Sequence, residues 1–164
     1  MNRFFSFILL TGLLYYTWGT HIEGVPFVKQ KTDFCGPASL SSVFGFYGLN
    51  ISQEEIGKYV YNDKLKGALI TDLENFAKER GFKTILKRSS IEEIKHFIDL
   101  NQPVIALIDL GFWVISKPHY IVIFGYNEKG FIAHTGYEPE KIIEYREFEE
   151  RWEKLGKVML VIYR

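Results

Sequence analysis

Apolar residues recur at helical spacing through the first half of this chain and in nearly unbroken runs through the second. The stretch from Cys35 to Tyr47 opens Cys-Gly-Pro-Ala and alternates small side chains with Leu40, Val43, Phe44 and Phe46. Proline is tolerated in a first helical turn, where its missing N–H would be unpaired anyway. Gly48 then supplies a natural C′ residue, so a helix is predicted here. Three Ser/Thr-x-x-Glu boxes follow at Ser52–Glu55, Thr71–Glu74 and Ser90–Glu93. Each is the signature of a helix start. Behind them stand apolar sets at helical spacing: Ile56, Tyr59 and Val60; Leu73, Phe76 and Ala77; Ile94, Phe97 and Ile98. Gly81 and Asn101-Gln102-Pro103 are the stops, and 64–69 reads as a loop.

The period changes near Val104. Phe82–Leu86, Val104–Leu110, Tyr120–Phe124, Phe131–Ala133, Ile142–Tyr145 and Val158–Tyr163 are short apolar or β-branched runs, which predict strands. The turn Asn127-Glu128-Lys129-Gly130 makes two of them a hairpin. Phe148 and Trp152, four apart, predict a short amphipathic helix before the last strand. Helices precede strands, so the expected class is α+β, N-terminal helices packed on a mostly antiparallel C-terminal sheet.

Of the 164 residues, 47% are hydrophobic and 16% aromatic, enough for one packed domain. Twenty basic side chains balance twenty acidic ones, so no basic field exists to attract nucleic acid. Residues 1–19 carry a positive Arg3, an apolar run from Phe4 to Tyr16 and a small-x-small Thr17-Trp18-Gly19. That pattern predicts an export signal, with an uncleaved membrane anchor as the alternative, and leaves 25–164 as the domain. The expected location is periplasmic or extracellular, with membrane contact only through the N-terminal segment if it stays attached.

Export gives meaning to the single cysteine. Cys35 has no intrachain partner for a disulfide, so it is a reactive thiol, an intermolecular link or an inert buried residue. A thiol at a helix N-terminus feels the positive end of the macrodipole, which favours thiolate. A cysteine nucleophile needs a base within reach and a group to orient that base. Among four histidines, His21 sits at the signal boundary and His96 on the polar side of a helix. His119 stands where a loop meets a buried strand, and His134 just past the next strand, so a hairpin brings them to one sheet end. Neither Cys-x-x-Cys nor His-Glu-x-x-His occurs. A zinc site on Cys35, His119 and His134 is a minor alternative, and no cofactor or metal is expected.

Gln30, then Cys35-Gly36-Pro37-Ala38 opening a helix that ends Tyr47-Gly48, then a distant Pro118-His119-Tyr120 on a strand reaching Gly125-Tyr126, form a joint pattern. It resembles the papain-like cysteine peptidases of the bacteriocin-processing, double-glycine class, in particular their stand-alone exported C39-like branch. The resemblance implies a papain-like fold over residues 25–164 and a peptide or protein substrate. It implies Cys35 as nucleophile, His119 as general base and acid, and Gln30 with the Cys35 backbone N–H as the oxyanion site. Two positions depart from the family. Phe34 replaces the usual Asp before the cysteine, and Ala133-His134-Thr135-Gly136 lacks the carboxylate that usually orients the histidine. Thr135, His134 or a backbone group is left to orient His119, with Glu138 a possible substitute downstream. Peptide cleavage is the leading expectation. A peptide-binding domain with impaired catalysis, or a Cys-dependent amidase or transpeptidase of the cell envelope, would use the same pair.

Overall fold

The structure, a computed structural model, describes residues 2–10 and 13–164, with side chains described from Gly19 onward. The export segment expected over 1–19 therefore lies, up to residue 18, outside the residues described in full. In chain order the elements are β1 (Asn2–Leu10), β2 (Leu13–His21), α1 (Cys35–Phe46), α2 (Gln53–Val60), β3 (Tyr61–Asn62), β4 (Gly67–Ala68) and α3 (Ile70–Glu79). Then come β5 (Lys83–Arg88), α4 (Ile91–Asp99), β6 (Val104–Asp109), β7 (Pro118–Tyr126), β8 (Gly130–His134), β9 (Lys141–Glu144), α5 (Tyr145–Glu153) and β10 (Val158–Tyr163).

The architecture is the expected α+β one, with helices packed on an antiparallel sheet. Its central path is β1-β2-β7-β6-β10-β5, and β8 and β9 continue from the other edge of β7. Strand β7 carries the site. It pairs with β6 from Pro118 to Ile123, with β8 from Val122 to Tyr126, and with β2 at Gly125 and Tyr126. From Val122 onward it is paired on both edges, whereas Pro118 to Ile121 pair with β6 alone, and Tyr120 through Phe124 are buried. Helix α1 packs across β7, burying Leu40, Val43 and Phe44. Phe44 stacks on Phe82 at 5.0 Å and on Phe76 at 6.1 Å, which ties α1 to the end of α3. Phe148 and Trp152 are both fully buried and seat α5 on the sheet.

Ser52 and Ser90 cap their helices as expected, their hydroxyls accepting from the N–H of Glu55 (3.1 Å) and Glu93 (3.2 Å). The third box fails. Helix α3 begins at Ile70, with Leu69 in the N-cap position, so Thr71 lies inside the helix. The reason is local: the preceding segment, read as a loop, is the two-stranded hairpin β3–β4, whose last strand delivers the chain directly into α3.

Candidate active site

A 780 Å³ cleft opens where the start of α1, the β3–β4 turn and the start of β7 converge. Gln30, Cys35, His119 and Tyr137 line it. Three of the five side chains singled out from the sequence thus meet in one cavity.

Cys35 is the first residue of α1 and is half-buried. No side chain caps this helix; the N-cap residue is Phe34. The helix start is held from below instead. The Phe34 ring lies where a Cβ on Gly57 would stand, 2.6 Å from its Cε2, and packs on Tyr61 at 5.1 Å. Phe34, where the resemblance implies an aspartate, is thus an apolar anchor in a slot of α2. Gly36 lets α1 approach β7: a Cβ there would lie 3.1 Å from Ala68 and 3.3 Å from the Tyr120 ring. The backbone N–H groups of Tyr120, Gly36 and Cys35 itself act on the Cys35 sulfur.

These donors favour thiolate, but burial outweighs them and pushes the thiol up from its ordinary 9.0, with Asp33 adding to the rise. The helix-start position alone had argued for a ready thiolate. What differs is the depth of the site: desolvation of the charged sulfur is the larger effect.

His119 is the second residue of β7 and is buried. Its Nε2 lies 2.6 Å from the backbone oxygen of Thr135. A carbonyl only accepts, so Nε2 carries the proton and Nδ1 of the neutral ring keeps its lone pair. Tyr137 covers the ring, stacked at 5.3 Å with 7° between planes. Burial pushes the imidazole below its ordinary 6.5, against the favourable Thr135 carbonyl and with help from Lys117. At rest, thiol and ring are both held towards their neutral forms. A proton passed from sulfur to Nδ1 would generate nucleophile and acid together.

The orienting group is therefore a backbone carbonyl. The Thr135 hydroxyl is occupied locally, accepting from Glu138 N–H at 2.9 Å. Glu138 itself pairs with Lys141 at 3.2 Å and is no substitute carboxylate. His134 does not orient His119. Its Nε2 donates to the Val25 carbonyl (2.9 Å) and its Nδ1 accepts from the Glu140 N–H (3.2 Å), so neither nitrogen is left for His119 or for a metal. It sits opposite Val122, well inside the sheet, and fastens the N-terminal segment to β8.

Gln30 is half-buried beside the cleft. Its N–H donates to the Gly136 carbonyl at 2.9 Å, and its side chain lies on Gly136, whose φ of +81° and missing Cβ make the room. Its Oε1 is buried there without a hydrogen-bond partner among the described residues, so the accessible end of the carboxamide is the donor, Nε2. Sequence reading missed what holds this segment. Gln53, buried at 7% exposure, accepts from Lys31 N–H at 2.9 Å and donates to the Lys29 carbonyl at 2.8 Å. Its carboxamide thus bridges the backbone on either side of Gln30. In the sequence it sits between a capping Ser52 and Glu54, where a polar residue reads as surface.

A model of the Peptidase C39-like family matches residues 22–160. The chain belongs to that family. The fold of this C39-like chain is shared by solved structures of low identity. One is described as a C39-like peptidase from Bacillus anthracis: 16% identity, TM-score 0.73, 89% of this chain and 98% of that one covered. Another is the peptidase domain of Streptococcus ComA, a bifunctional ABC transporter of a quorum-sensing pathway (22% identity, TM-score 0.72, 85% and 98% covered). A third is a double-glycine-motif protease from an AMS/PCAT transporter, solved with its leader peptide (19% identity, TM-score 0.71, 87% and 93% covered). No curated protein sequence matches this C39-like chain.

Proposed function

We propose that this C39-like chain is an exported cysteine peptidase. The observation that carries the reading is the cleft that holds both the Cys35 thiol, at a helix N-terminus, and a His119 ring whose Nε2 is fixed on the Thr135 carbonyl. The Cys35 S–H proton passes to Nδ1 of His119 as sulfur attacks the peptide carbonyl carbon. The carbonyl π pair moves onto oxygen, where the Cys35 backbone N–H and Gln30 Nε2 receive it. Donors of this kind contribute about 3 kcal/mol to the transition state. Collapse breaks the C–N bond, the amine takes the proton from Nδ1–H, and a thioester remains. Water, deprotonated by Nδ1, then releases the acid and restores the thiol. Its place of work is the periplasm or cell exterior, with residues 1–19 as the signal.

A second reading, peptide binding without cleavage, is favoured by one observation: burial holds the thiol high and the ring low, against an ion pair. Incubation with a defined peptide library, read by mass spectrometry, separates the two. The peptidase reading expects new termini, lost in Cys35→Ala and slowed about 10³-fold or more in His119→Ala, as for removal of a triad member. Bound but uncut peptides would sink it.

A further inference from the structure

Over the whole chain positive and negative side chains balance at twenty each, but around the cleft they do not. Lys29 and Lys31 stand on the wall before α1, Lys66 on the β3–β4 turn, and Lys117 on the wall entering β7. Asp33 is the one carboxylate among the lining residues. Lys31 is neutralised by Glu54 at 2.5 Å. Lys29, Lys66 and Lys117 are exposed and have no ion-pair partner among the described residues. Of the acids nearby, Glu138 pairs with Lys141 and Asp109 accepts the N–H groups of Gly111 and Lys117, while Asp63 stands on the β3–β4 turn outside the lining residues. Between the lysines the walls present Leu65 and Leu69, 56% and 50% exposed, with Tyr137 over the histidine.

We infer that the cleft selects acidic peptides: segments that seat an apolar side chain near Cys35 and carry glutamate or aspartate on either side. The inference rests on the peptidase reading and names its substrate class. Cations on several walls of a concave site focus a positive potential where the chain must lie, which raises encounter rate and fixes orientation for an anionic partner. A flat anionic surface would reach only part of this set, because the lysines line separate walls of a cavity. An unpaired lysine that meets a carboxylate at such a rim loses less by desolvation than one buried in a core.

The test uses two fluorescent peptides with one apolar core, flanked by glutamate in one and glutamine in the other. Binding is measured by anisotropy on the Cys35→Ala protein, and cleavage on the wild type. The glutamate peptide is expected to bind about tenfold tighter at low salt, with the difference shrinking towards none at about 1 M salt. Lys66→Glu with Lys117→Glu should abolish the preference, read as the ratio of the two peptides' affinities in the same variant. Lys29→Glu is the second variant, and thermal unfolding verifies that each folds. Equal affinity for the two peptides, a preference that survives the reversals, or equal binding to phosphatidylserine vesicles overturns the inference. Preferential binding of the acidic peptide without cleavage sustains it and sinks the peptidase reading. Cleavage of both peptides at one rate does the reverse.

Discussion

The ring of His119 is held by a main-chain oxygen, the Thr135 carbonyl, where the resemblance implies a carboxylate. A carbonyl lacks the charge that would stabilise an imidazolium, but it keeps the tautomer: Nε2 donates and Nδ1 keeps its lone pair. The sequence could name His119 and Cys35 because each residue type is rare in the chain and stands at an element boundary. It could not choose among Thr135, His134 and the backbone, since a carbonyl oxygen has no residue type. Gln53 was equally invisible. Its two part-buried hydrogen bonds span Gln30, and removing the carboxamide gives up both, at about 1 kcal/mol each. Gln53→Ala is therefore expected to lower kcat about tenfold through a displaced Gln30 in addition to destabilising the fold. A double-mutant cycle separates the two effects. In a Gln30→Ala background the kcat loss from Gln53→Ala should vanish while the stability loss remains; an undiminished kcat loss would show that Gln53 does not act through Gln30.

Helix α1 and strand β7 were legible because their patterns are strong: a Cys-Gly-Pro opening with buried residues at helical spacing, and a nearly continuous apolar run. Their mutual approach was not. It depends on Gly36, which lets Ala68 and the Tyr120 ring close to within ordinary contact of the helix start, and on Gly57, which admits Phe34. A glycine inside a helix costs about 1 kcal/mol against alanine. Gly57 meets that cost so that the Phe34 ring can anchor the turn before Cys35. Similarly, Thr71 looked like a cap only because the short β3–β4 hairpin carries little hydrophobic signal of its own. Gly36→Ala is expected to destabilise the protein by about 1–3 kcal/mol, as over-packing does, and to move the sulfur from the Tyr120 N–H. Urea unfolding together with the pH dependence of Cys35 alkylation measures both. An unchanged midpoint would mean that the helix start is not packed as tightly as its contacts imply.

Taken whole, the domain buries two histidines it must keep neutral. Burial pushes both His119 and His134 below the ordinary 6.5. The unfolded chain therefore binds protons near 6.5 that the folded chain refuses until lower pH. Unfolding then takes up protons, so stability rises with pH through that window and is lost as pH falls through it. Tm is expected to be flat above about pH 7 and to drop as pH falls below about 6.5. In His134→Gln part of that slope should disappear. An identical slope in the variant would assign acid sensitivity elsewhere. The antiparallel α+β layout was readable from the change of period near Val104. That the chain's charge balance conceals a lysine-rimmed cleft was not, because the lysines are far apart in sequence and meet only once α1, β3–β4 and β7 come together.

The proton transfer proposed from Cys35 to His119 can be tested without knowing the natural substrate. p-Nitrophenyl acetate delivers an acetyl group to a competent thiol, and stopped-flow release of nitrophenolate, with intact mass for the Cys35 adduct, gives the acylation rate against pH. A neutral His119 acting as base predicts a plateau whose acid limb lies below 6.5, where the buried ring finally takes a proton, and a rate at pH 7 at least about tenfold lower in His119→Ala. A rate equal in the two proteins, rising only as the raised Cys35 thiol ionises above 9.0, would contradict it.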